Sequence, residues 1–126
     1  MTGTWCVLLE EETKGYASID GHGHDLYRWH LTGTTEVAGG RAAADAAARA
    51  LADGHVPEET ARSLGRGGRP ERRVYRMPDG AFLVQLGRGY GESRFRVSVG
   101  ELVTRQEEVR GRSAPAAPTG LRRFFG

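Results

Sequence analysis

The sequence predicts an α+β domain: a mainly antiparallel sheet in ββαβββ order with one principal Ala-rich helix packed on it. Three observations carry that expectation. Two alternating apolar runs precede the segment RAAADAAARALADG. Three more alternating runs follow it. Turn chemistry separates nearly all of them, most clearly Pro78-Asp79-Gly80 between two apolar stretches.

Residues 4–9 alternate Trp5, Val7 and Leu9 against Thr4, Cys6 and Leu8, a strand apolar enough on both faces to be buried. Residues 10–25 read as a polar, glycine-bearing stretch, with room for a short strand at 16–19. In residues 26–31, Tyr27, Trp29 and Leu31 point one way and Arg28 and His30 the other, which predicts a half-buried second strand. Gly39-Gly40 ends that region, and the Ala-rich helix begins. Arg41, Asp45 and Arg49 fall on one solvated stripe; Ala44, Ala47, Ala48 and Leu51 fall on another, with Gly54 at the end. A short second helix is expected after Pro57, with Glu58 and Glu59 in its first turn and Gly65 beyond its end.

The run GRGGRPERR reads as a mobile basic loop, and period-two alternation then returns at 73–77, 81–86 and 94–99. Residues 101–109 either extend the last strand or close the domain with a short helix. The expected single domain is 1–109, and 110–126 reads as a flexible Pro/Ala linker ending in the peptide LRRFFG. No internal repeat is visible.

Charge is distributed unevenly. Residues 1–61 carry four bases and ten acids, residues 62–96 nine bases and three acids, and residues 97–126 five and three. The overall net charge of +2 therefore hides two opposed halves. Seventeen of the eighteen bases are arginine. Such a bias, with heavy Ala and Gly usage, is what a GC-rich bacterial coding sequence produces, so arginine placement is more informative than arginine number. The single cysteine, Cys6, excludes an intramolecular disulfide. Together with the lack of a readable signal peptide, it leads to the expectation of a cytoplasmic chain without membrane association.

Five candidate sites follow. The run DGHGHD at 20–25 places His22, His24 and Asp25 close enough to suggest a divalent metal. No second cluster at ligand spacing accompanies them, and Asp-Gly and His-Gly are ordinary turn sequences. The expectation is a polar turn, with neither a metal nor any other cofactor. Cys6 in an apolar strand reads as an inert core thiol. The run GRGYGE lacks the lysine and following helix of a phosphate loop and reads as a turn.

The arginines are the stronger candidate. Arg94 and Arg96 alternate with Phe95 and Val97, so both leave one face of their strand. Arg72, Arg73, Arg76 and Arg88 are expected to join them in a basic sheet face, with Tyr75 or Tyr90 available for stacking. In the tail, Leu121, Phe124 and Phe125 resemble anchors of a docking peptide. The functional expectation is a small non-catalytic binding or adaptor protein that engages an acidic protein partner through this face and the C-terminal peptide. An RNA- or single-stranded-DNA-binding protein using the same arginines is the alternative, and a metal-dependent enzyme at DGHGHD the third.

Overall fold

In the computed structural model, residues 3–88 and 91–112 are described. The chain forms β1 (Thr4–Ile19), β2 (His22–Val37), α1 (Gly40–Gly54), α2 (Glu58–Leu64), β3 (Glu71–Arg76), β4 (Phe82–Arg88) and β5 (Gly91–Leu102). The five strands make one sheet in the order β2-β1-β5-β4-β3, antiparallel throughout. This is the expected α+β architecture, with the short second helix present.

Helix α1 lies on one face of the sheet. Ala44, Ala48 and Ala52 are its buried stripe, and Ala47 and Leu51 pack beside them. Their small side chains let the helix approach closely while the strands supply the volume. Phe95, Leu86, Val84 and Val97 are the largest fully buried side chains, joined by Val7 and Phe82. Each large apolar side chain so buried contributes about 1.5–3 kcal/mol. The helix ends where the His55 N–H donates to Leu51 O. Arg72, on β3, then donates from both terminal amino groups to the carbonyls of Ala52 and His55, at 2.9 Å each. A guanidinium therefore caps the negative end of α1. Burial pushes the Arg72 pKa below its ordinary value, and the Asp53 carboxylate pulls the other way.

The hairpins show what their turn residues impose. Asp20 and Gly21 both have positive φ, 53° and 78°, the pattern of a two-residue type I′ turn that joins β1 directly to β2. At the second hairpin, Gly80 N–H donates to Met77 O, Met77 N–H donates to Ala81 O, and Asp79 Oδ1 accepts from Ala81 N–H. Gly80 takes the positive φ that closes this tight turn.

Several boundaries differ from expectation. The polar stretch at 10–25 is not a loop, since β1 continues to Ile19 and β2 starts at His22. β5 pairs with β1 only from Thr4 to Glu11, so residues 13–19 pair with β2 alone among the described residues. The outer hairpin is thus a two-stranded ribbon, about 24 Å long at ~3.4 Å per residue. The sequence here, EEETKGYASI, carries no alternating apolar signal. Residues 101–109 form no helix; β5 extends to Leu102 and the described chain beyond it is irregular.

Candidate binding face

Alternation along β5 sets the site. Phe95, Val97 and Val99 face α1, so Arg94, Arg96 and Ser98 face the opposite side of the sheet, where no described element packs. Antiparallel register carries each residue across the strands as a row. One row runs Leu31, Glu10, Arg96, Leu83, Tyr75. Its neighbour contains Trp29 and Glu12, then Arg94, Gln85 and Arg73.

The centre of this open face is ionic and the flanks are apolar. Arg96 grips Glu10 through two parallel hydrogen bonds, Nε to Oε1 at 3.2 Å and a terminal amino group to Oε2 at 3.1 Å. This fork geometry is the strongest form of the arginine–carboxylate pair. Arg94 donates to Glu12 at 3.2 Å. The Arg96 guanidinium also lies 5.1 Å from the centre of the Trp29 ring, within cation–π reach.

On the β2 flank, Tyr27, Trp29 and Leu31 are 59%, 39% and 60% exposed, and Tyr75 on the β3 flank is 46% exposed. The second strand was expected to be half buried. Instead both sides of this segment meet solvent, Tyr27, Trp29 and Leu31 on one and Arg28 and His30 on the other, because α1 lies over the centre of the sheet and does not extend to this part of β2.

The predicted arginines do not form one surface. Arg73, Arg94 and Arg96 share the open face. Arg72 and Arg76 lie on the helix side, in register with Leu86 and Phe82. Residues two apart in a strand share a face, and Val74, packed against the core, shows which face this is. Tyr75 first, then Glu71, hold the Arg73 pKa above the ordinary arginine value. The side chains of His24, Asp25 and Arg88 lie outside the described residues, as do Leu121, Phe124 and Phe125. His22 is exposed on β2 just past the turn, and no group of three metal-ligating side chains occurs among the described residues.

Two arrangements on the helix side went unread in the sequence. Glu11 and His55 are 3.1 Å apart, and the His55 ring stands edge-on to Phe95, 5.0 Å between centres. Nearby in the fold, the Thr60 hydroxyl donates to Ser93 Oγ at 2.7 Å. No hydrogen bond links these pairs among the described residues, so no base is set against the serine oxygen. The other arrangement is a cleft of about 330 Å³ between α1 and the β3–β4 turn, lined in part by Arg41, Arg49, Arg76, Asp45 and Asp79. The helix spacing shows the Arg41, Asp45 and Arg49 stripe, but its meeting with Arg76 and Asp79 has no local signature; only the helix docking brings them together. No protein-family model, curated protein or solved structure matches this chain.

Proposed function

We propose that the chain is a non-catalytic binding protein that engages a partner protein with the open face of its sheet. The observation that carries this reading is the exposure of Tyr27, Trp29 and Leu31 together on a sheet face that no described element covers. Exposed aromatic and aliphatic side chains beside arginine are the composition of interface centres. The ionic pairs refine the nature of the partner. Glu10 and Glu12 hold Arg96 and Arg94 at the centre of the face, and Glu71 pairs with Arg73 at 3.3 Å at its rim, so its arginines are matched by carboxylates. A partner whose apolar side chains meet the β2 flank and whose polar groups meet the paired charges of the centre suits this surface. A nucleic-acid strand suits it less, since two carboxylates stand among the arginines that would meet its phosphates. The C-terminal LRRFFG peptide belongs to the same proposal as a second anchor.

A photo-crosslinking side chain placed at position 27 in the full chain, expressed in its native host, tests the reading. The expected result is a discrete protein adduct that is absent when the crosslinker is at Glu59 on α2 and lost on adding Leu31→Arg. Identical adducts from both positions, no adduct at all, or an adduct to nucleic acid would overturn it.

A further inference from the structure

We propose that the cleft between α1 and the β3–β4 turn is a second, independent site, and that it binds the phosphate group of a small phosphate monoester. Its walls carry Arg41 and Arg49 from α1 and Arg76 from the end of β3. Two of these guanidinium groups share one platform. Arg49 lies 5.9 Å and Arg76 5.1 Å from the centre of the Phe82 ring, which is itself buried at the edge of the core. Stacking on a fixed ring restrains both side chains, so less rotamer freedom remains to be lost when an anion binds. Arg41 is similarly placed, 5.5 Å from the centre of the Trp5 ring.

The carboxylates in and around the cleft leave most of the donors available. Asp53 takes only the Nε of Arg49, at 3.0 and 3.2 Å. Asp45 lies 3.9 Å from the Nε of Arg41. Asp79 is committed to the turn, where its Oδ1 accepts from the Ala81 N–H at 2.9 Å. Among the described residues, the terminal amino groups of Arg41 and Arg49 donate no hydrogen bond, and Arg76 makes neither a hydrogen bond nor an ion pair. The cleft thus presents planar donor forks from two separate elements to one space. Tetrahedral phosphate oxygens accept from such forks in several directions at once, which a single carboxylate plane cannot do. A volume of about 330 Å³ exceeds what a bare phosphate fills and is at the small end of metabolite sites. A small phosphate monoester fits both the charge and the size, while Asp45 and Asp79 keep the affinity moderate.

The experiment is a titration of the isotope-labelled full chain with inorganic phosphate and with phenyl phosphate at low ionic strength, followed by NMR. Saturable shifts are expected at the Arg41, Arg49 and Arg76 side chains and at the Gly80 and Ala81 amides, with phenyl phosphate binding more tightly. Arg76→Ala should weaken binding about tenfold or more, the loss of a charge-assisted contact. Arg62→Ala, on the exposed side of α2, should leave it unchanged. Arg76→Lys keeps the charge, removes the fork and should also weaken binding, which keeps the test decisive if the alanine variant does not fold. Absence of saturation, equal weakening by Arg76→Ala and Arg62→Ala, or shifts confined to Arg73, Arg94 and Arg96 would overturn the proposal.

Discussion

On the side of the sheet beneath α1, Phe95, Val97, Val84 and Leu86 are shut off from solvent. On the other side, the same two strands present Arg94, Arg96, Gln85 and Leu83 beside the exposed aromatic flank of β2. One alternation in sequence thus serves two kinds of interaction. The helix-covered face removes apolar area from water and packs at interior density, so losses there are felt in full. The open face is held by half-exposed ion pairs, each worth about 0–1 kcal/mol, and contributes little to keeping the chain folded. Stability and recognition can therefore change separately in this protein, one for each face.

The contrast would be broken first at Phe95. Phe95→Ala removes the largest fully buried side chain and should cost about 3–5 kcal/mol, read as a large drop in the urea midpoint with the slope retained. A loss below about 1 kcal/mol would mean that the covered face is not the structural core. Next comes Arg72→Ala. It leaves the Ala52 and His55 carbonyls without their charged donor and should cost about 1.5–3 kcal/mol, with faster amide exchange in the last turn of α1. Smallest is Leu31→Ser on the open face, expected to change stability by less than about 0.5 kcal/mol. A cost comparable to that of Phe95→Ala would show that something covers Leu31 in solution, and would erase the distinction between the two faces.

Much of the fold was legible where one face of an element is buried. The alternation at Phe95, Val97 and Val99, the Ala stripe of α1 and the turn at Pro78-Asp79-Gly80 all report local periodicity or local backbone demand. The outer ribbon was not legible, because EEETKGYASI and HGHDLYR carry no alternating apolar pattern that would report their pairing. For Tyr27, Trp29 and Leu31 the alternation was visible but the exposure of both sides of the segment was not. An aromatic stripe reads as buried until the position of the covering helix is known.

The candidate site divides in the same way. That Arg94 and Arg96 share a face followed from their spacing alone, whereas their pairing with Glu12 and Glu10 depends on β5 lying next to β1, across 82 and 86 residues of chain. The removal of Arg72 and Arg76 to the helix side has the same origin, and so does the meeting of Arg41, Arg49 and Arg76 at one cleft. By itself the sequence determined the fold class, the helix, the turns and the alternation of each buried strand, since these follow from dihedral preference and local apolar spacing. Only the tertiary structure decided which side of each strand meets water and which charges meet one another. Both depend on strand order and helix docking, and these are set by contacts between residues far apart in the chain.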